Sequence, residues 1–275
     1  MATTIDYEVS VQDVEYQQLA GKSWLARVYQ PQGPGPFPTM LDVHGGAWRN
    51  GDRTNDVAIN TALAAKGILV AAIDFRQPPE AGYPASVQDV NLGVRWLKAN
   101  AGKYNGKAQV GAMGVSSGGH LVALAGVRPN DARYSALPGP QGVDASLSFV
   151  VPCWPVIDPL YRYNHFKAKG DRQEVLDAHH AYFGTEAAMT EAAPRTAVES
   201  DASPSLPPVL MVLKEGDDTH PLPMQEAFIN AYRAKGGPIE LFMFKTATSA
   251  PGLKPDEPEW GRVIETITEF ARRFG

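Results

Sequence analysis

Gln109-Val110-Gly111-Ala112-Met113-Gly114-Val115-Ser116-Ser117-Gly118-Gly119-His120 is the stretch that decides how the rest of this chain is read. A short β-type run, Gln109–Met113, leads into G-x-S-x-G at Gly114 to Gly118, and a helical pattern over Ser117–Val127 leads away from it. That context is a sharp strand–turn–helix with the serine at its tip. Gly114 and Gly118 relieve crowding on either side of the bend. The helix that follows aims backbone N–H groups at the serine, an arrangement that favours negative charge there.

Working outward, short apolar runs alternate with helical periodicity, the pattern of βαβ units. Val9–Val14 and Trp24–Tyr29 read as opening strands, and Met40–Val43 as a buried one running into His44-Gly45-Gly46. Ile68–Asp74 is continuously apolar, as a parallel core strand should be. Ala145–Val151, Pro208–Leu213 and Glu240–Phe244 complete the set. Val87, Val90, Val94 and Leu97 recur at helical spacing, 223–235 is helical, and Val263, Ile267, Phe270 and Phe274 mark a closing helix. The fold class is therefore α/β, with a mostly parallel central sheet of about eight strands flanked by helices. Between Pro152 and Pro207 the strand rhythm stops and aromatics gather (Tyr161, Tyr163, Phe166, Tyr182, Phe183). A structureless loop of that length does not suit a compact domain. The expectation is a small helical cap over residues 152–207, inserted into a core made of 1–151 and 208–275.

Bulk properties narrow the function. The 275 residues can bury a sizeable core, and 44% hydrophobic with 20% charged residues is ordinary for a globular protein. A formal charge of −5 and no basic stripe argue against a nucleic-acid partner. The single cysteine, Cys153, cannot form an intrachain disulfide. The first residues lack a basic segment followed by an apolar run, and no stretch of about 18 apolar residues occurs. The expectation is a cytoplasmic protein that does not bind membranes. No cofactor is implied, no histidine spacing resembles a metal site, and a homodimer is allowed but not required.

The chemistry begins at Ser116, a hydroxyl that needs a base to become a nucleophile. The glycines of His44-Gly45-Gly46-Ala47-Trp48 let backbone N–H groups approach a substrate oxygen, and with the Ser117 N–H they would form an oxyanion hole. These residues, together with Asp74-Phe75-Arg76-Gln77-Pro78-Pro79-Glu80 and Gly82-Tyr83-Pro84-Ala85, resemble the α/β-hydrolases. The resemblance is greatest to the hormone-sensitive-lipase-like esterases and the neighbouring kynurenine-formamidase-like hydrolases. It runs from about residue 20 to the end of the chain.

The resemblance implies the α/β-hydrolase fold, Ser116 as nucleophile, Gly45, Gly46 and Ser117 as oxyanion donors, and a cap that shapes the acyl pocket. Chain order in this fold is serine, acid, histidine. The acid would fall in Glu215-Gly216-Asp217-Asp218-Thr219-His220-Pro221, at Asp217, with Asp218 as the alternative. The histidine would fall at position 249, where this chain has Ser249. Serine does not titrate near neutral pH and cannot relay a proton as imidazole does.

Three accounts stay open. Ser249 has disabled the triad; or another histidine serves, with His220 best placed beside the acid; or the protein has a task other than hydrolysis. The other histidines are weaker. His44 belongs to the oxyanion loop, His120 lies below the tip, His165 is in the cap, and His179 and His180 diverge on a helix. Cys153 is expected to be a small apolar wall residue. The leading expectation is a serine carboxylesterase-type hydrolase of a small ester, lactone or amide, impaired by the loss at position 249. The alternative is a small-molecule binding protein or lyase on the same scaffold, since plant gibberellin receptors resemble this branch and lack the histidine.

Overall fold

A computed structural model describes residues 6–246 and 252–275. One eight-stranded sheet organises the chain: β1 Glu8–Leu19, β2 Lys22–Gln32, β3 Phe37–Val43, β4 Leu69–Ile73, β5 Gly106–Val115, β6 Val150–Cys153, β7 Val209–Lys214 and β8 Ile239–Phe244. Spatial order is β1-β2-β4-β3-β5-β6-β7-β8. Strand β2 runs antiparallel to both its neighbours, and every pairing from β4 to β8 is parallel. This is the α/β-hydrolase architecture that the sequence resemblance implies.

The parallel strands read as unbroken apolar runs because they are covered on both faces. All five residues of β4 and all six of β7 are buried. On one face lie α2 Ala85–Asn100, α3 Ser117–Val127 and α8 Leu222–Ala234, and on the other α1 Val57–Ala65 and α9 Trp260–Phe274. In α9 the apolar positions Val263, Ile264, Ile267, Phe270 and Ala271 fall on one stripe and are buried, while the charged residues face out.

Several boundaries depart from the sequence reading, those of β1 and β6 furthest. Strand β1 is longer than expected, because it pairs with β2 along its whole length, from Glu8↔Gln32 to Leu19↔Lys22. Strand β6 begins at Val150 rather than Ala145 and runs through Pro152 to Cys153. Ser148 and Phe149 already bond to β5, through Ser148 N–H to Val110 O and Ala112 N–H to Phe149 O. Proline lacks the N–H of a ladder rung. The rungs from β6 to β7 on either side, Val150 N–H to Pro208 O and Trp154 N–H to Val212 O, carry the strand past it.

Between β6 and β7 come four helices: α4 Pro159–Lys169, α5 Gln173–Phe183, α6 Glu186–Glu191 and α7 Pro194–Ser200. The Asp158 carboxylate caps α4 by accepting the Tyr161 N–H, and the Thr185 hydroxyl caps α6. These helices rest on segments at the carboxyl ends of the parallel strands. Tyr182 stacks on Trp48, Arg172 reaches Thr219, and Ala192 O accepts from His120.

Candidate active site

Ser116 sits between β5 and α3 with φ 53° and ψ −112°, a left-handed conformation that costs a non-glycine residue energy. The surroundings over-determine it. Its N–H donates to Cys153 O, and its carbonyl accepts from both His120 N–H and Val156 N–H. Glycine is required at 118 by close approach, since a Cβ there would lie 1.9 Å from Val43 O. Ser116 itself stays partly exposed, while Ser117 behind it is buried.

The loop after β3 is shaped by a second obligatory glycine. Gly46 has φ +117°, and a Cβ on it would stand 1.9 Å from Asn50 O. The Gly46 carbonyl accepts from Arg49 and Asn50 N–H, and the Gly45 carbonyl accepts from His44 Nδ1 at 2.6 Å. With both carbonyls engaged, the N–H groups of Gly45, Gly46 and Ser117 make no backbone hydrogen bond outside regular elements among the described residues. His44 is buried and stacked on Phe75, ring centroids 4.3 Å apart, and its burial lowers its pKa. The far end of the loop is tied down by Arg53, which bonds Asp74 through its own N–H and guanidinium and reaches Asp13 at 2.8 Å.

Trp48 is fully buried. Its backbone N–H donates to Ser117 Oγ, and its indole N–H donates to His120 Nδ1 at 3.1 Å. His120 gives its Nε2 proton to Ala192 O, so it is neutral, and burial drives its pKa down to about 4. Trp48 thus links the oxyanion-type loop, the elbow helix and the inserted helices.

Facing Ser116 is the loop after β7. His220 Nε2 lies 3.0 Å from Ser116 Oγ, and His220 Nδ1 lies 2.8 Å from Asp217 Oδ2. The other Asp217 oxygen accepts the N–H groups of Thr219 and His220, closing the turn on the carboxylate. Burial would raise the Asp217 pKa, but the imidazole and these N–H donors hold it down, to about 2. An ionised Asp217 takes the Nδ1 proton, leaving the Nε2 lone pair for the serine hydroxyl. His220 is 4% exposed, and this burial lowers its pKa despite the opposing pull of Asp217.

The structure therefore brings Ser116, Asp217 and His220 together. Ser249 lies outside the described residues. Asp218 is exposed, and it is Asp217 that the imidazole bonds. His165 stacks beside Tyr161, His179 is buried on α5, and His180 bonds the Tyr163 hydroxyl. Cys153 is buried within the core, where burial raises its thiol pKa. A cavity of about 240 Å³ behind the imidazole borders Trp154, Asp217, His220 and Met243. Among the described residues no cluster of three or more His, Cys, Asp or Glu side chains could hold a metal. No helix there is long and apolar enough to cross a membrane.

Sequence reasoning ranked His220 behind position 249. The available signal was its place three residues after Asp217; the missing information was how far the β7 loop curls toward the elbow. It also passed over Arg162, a cap arginine that proves to be 4% exposed.

Comparison with known proteins bears on the family and the fold. The family model BD-FAE matches residues 27–230. Esterase LipC of Mycobacterium tuberculosis is 31% identical over 208 residues, covering 72% of this chain and 49% of LipC. Esterase LipQ of the same organism is 27% identical, covering 72% of this chain and 46% of LipQ. The chain thus spans about half the length of these curated relatives. Among solved structures, Thermogutta terrifontis esterase 2 superposes with a TM-score of 0.76 at 20% identity, covering 96% of this chain and 95% of that one. A hyperthermophilic esterase from Pyrobaculum calidifontis gives 0.76 at 20% identity, covering 96% and 85%. At those identities the likeness is one of fold.

Proposed function

The chain belongs to the BD-FAE family of α/β-hydrolases, and from that premise we propose that it is a serine carboxylesterase-type enzyme with Ser116, His220 and Asp217 as its triad. The single observation that carries this reading is the unbroken relay from Ser116 Oγ to His220 Nε2 and from His220 Nδ1 to Asp217 Oδ2, at 3.0 and 2.8 Å. Ser116 Oγ attacks the carbonyl carbon of a small ester, lactone or amide as its proton passes to His220 Nε2. The N–H groups of Gly45, Gly46 and Ser117 receive the developing oxyanion, each such donor being worth roughly 3–4 kcal/mol. Collapse of the tetrahedral intermediate expels the alcohol or amine, which takes the proton from His220. Water, deprotonated by the same imidazole, then releases the acyl group from the serine. Residues 152–207 act in this reading as the cap over the site.

With His220 in hydrogen-bond reach of Ser116, an impaired triad is not needed to explain Ser249. The non-hydrolytic alternative rested on a vacant base position and loses its ground for the same reason. The test is hydrolysis of 4-nitrophenyl acetate together with fluorophosphonate labelling. Ser116→Ala should abolish labelling, and Ser116→Ala and His220→Gln should each cut kcat by roughly 10⁴–10⁶-fold. Ser249→His should add nothing. A His220→Gln protein that keeps its activity, or a gain of orders of magnitude in Ser249→His, would overturn the assignment of the base.

A further inference from the structure

Helix α8 begins two residues after His220, and its first turns carry a buried glutamine. Gln225 is 1% exposed; its Nε2 donates to Pro155 O at 2.7 Å, while its Oε1 is buried with no partner among the described residues. Toward the other end of the helix the Tyr232 hydroxyl donates to Pro207 O at 2.5 Å. The two bonds tie α8 to the backbone on either side of the four inserted helices. A buried amide oxygen left without a donor costs stability, and a methionine of similar length would avoid that cost. The use of a glutamine here therefore rests on the bond its Nε2 makes.

What that bond holds is the cradle of the nucleophile. Cys153 O accepts the Ser116 N–H, and Val156 N–H donates to Ser116 O. Between them Trp154 sits at φ 35°, a conformation that costs a non-glycine residue energy and persists only where its neighbours over-determine it. Trp154 N–H bonds Val212 O on β7, and Pro155 lies so close to the elbow helix that a Cβ on Gly119 would stand 2.8 Å from its Cβ. Proline has no N–H, so the carbonyl is the one backbone group Pro155 can pair, and Gln225 takes it. The other half of the relay, Asp217 with His220, belongs to the turn that runs straight into α8. Gln225 thus joins the half that carries the serine to the half that carries the imidazole. It also lines the cavity of about 240 Å³ that borders Asp217 and His220. Close packing does not shut that side, so His220 has room to recede from the serine unless its turn is braced.

We propose that Gln225 is a positioning residue of the triad, its bond to Pro155 O setting how closely the His220 turn approaches Ser116. This rests on the hydrolase reading above and adds to it a residue that acts through the imidazole rather than on the substrate. Proton transfer needs the base within hydrogen-bond reach, and the 3.0 Å between Ser116 Oγ and His220 Nε2 leaves little margin.

The test measures hydrolysis of 4-nitrophenyl acetate by the wild type, Gln225→Met and Gln225→Asn. Methionine keeps the length and loses the donor; asparagine keeps the amide but falls one carbon short of Pro155 O. Each should lower kcat by about 10- to 100-fold, the cost of an ångström-scale misplacement, with KM little changed. The urea midpoint of Gln225→Met should stay near that of the wild type, since removal of the unpaired Oε1 offsets loss of the bond. In a His220→Gln background neither substitution should reduce the residual rate further, because both act through that imidazole. A glutamine of structural use alone would lower the urea midpoint and leave the kcat of the folded protein unchanged. That result would overturn the proposal, as would an equal loss of rate with and without His220.

Crystal structures of the wild type and Gln225→Met separate this proposal from the hydrolase reading, because position is read without turnover. A gap between Ser116 Oγ and His220 Nε2 that opens beyond hydrogen-bond reach in the variant supports the brace even should the wild type hydrolyse nothing, in which case the hydrolase reading alone falls. An unchanged gap overturns the brace, whatever the rates.

Discussion

In the proposed triad a neutral imidazole is the working form of the base, so the His220 environment would set the pH range of activity. Burial pushes its pKa below 6.5, and Arg162 adds to that depression, while Asp217 opposes it. Activity should therefore rise with pH along an acid limb whose midpoint lies below 6.5, and stay level through neutrality, as read from kcat/KM against pH. Asp217→Asn removes the opposing pull and the tautomer control together. It should cut kcat by roughly 10⁴-fold and move the acid limb lower still. Beside α1, Asp42 on β3 and Asp56 make a costly pair of acids. Asp42 Oδ2 accepts from Asn60 at 2.7 Å, but Asp42 Oδ1 and Asp56 Oδ2 are buried without partners. Burial raises the Asp42 pKa, aided by the Asp56 charge, and pushes Asp56 up to about 6. The folded state thus holds protons that the unfolded state releases between about pH 4 and 6, so this pair costs stability as pH rises through that window. Asp56→Asn should raise the urea midpoint at pH 8 and leave it nearly unchanged at pH 4.

At the scale of elements, the elbow and the loop after β3 form one mechanical unit. Gly118 lets the first turn of α3 lie against Val43 O, and Trp48 ties the loop to Ser117 Oγ and His120. Gly118→Ala places a methyl group inside van der Waals contact with backbone, where no side chain can yield. It should lower kcat by at least about 10²-fold, as sub-ångström misplacement of a nucleophile does, and stability by about 1–3 kcal/mol. Trp48→Phe keeps the ring but removes the N–H donor to a buried His120, which leaves that imidazole nitrogen unpaired. The expected cost is about 1–3 kcal/mol of stability, read by chemical denaturation. The motifs flanking these glycines were visible in the chain; the Trp48–His120 bond was not, because it joins residues 72 positions apart.

For the whole molecule, the sheet creates a single carboxyl edge where the loops after β3, β5 and β7 converge, and the four helices between β6 and β7 close over it. Their contacts with the core are aromatic as well as polar: Trp48 stacks on Tyr182, and Phe183 packs against both Trp48 and Tyr83. Arg128 joins the two parts through Glu191 and Asp201. Replacing 159–200 by a short linker would expose Trp48 and Tyr134, which are buried at present, and uncover half-buried Tyr83 further. The truncated protein should lose soluble yield and near-ultraviolet circular dichroism rather than become an open enzyme. Retention of both would show that the core folds independently of these helices.

Periodicity and punctuation in the sequence determined the strands, the elbow and the parallel α/β class, because those depend on which residues can be buried on both faces and where a tight turn admits no side chain. The elbow pattern also pointed to Ser116 and the family resemblance to Asp217, each held by its own local turn. What the tertiary structure supplies is a histidine within hydrogen-bond reach of the serine. His220 lies 104 residues from Ser116 along the chain, and its distance is set by how β7 and its loop pack against β5 and β6. Local rules fix conformation; only packing brings separated groups within hydrogen-bond reach and removes the water that would otherwise satisfy them.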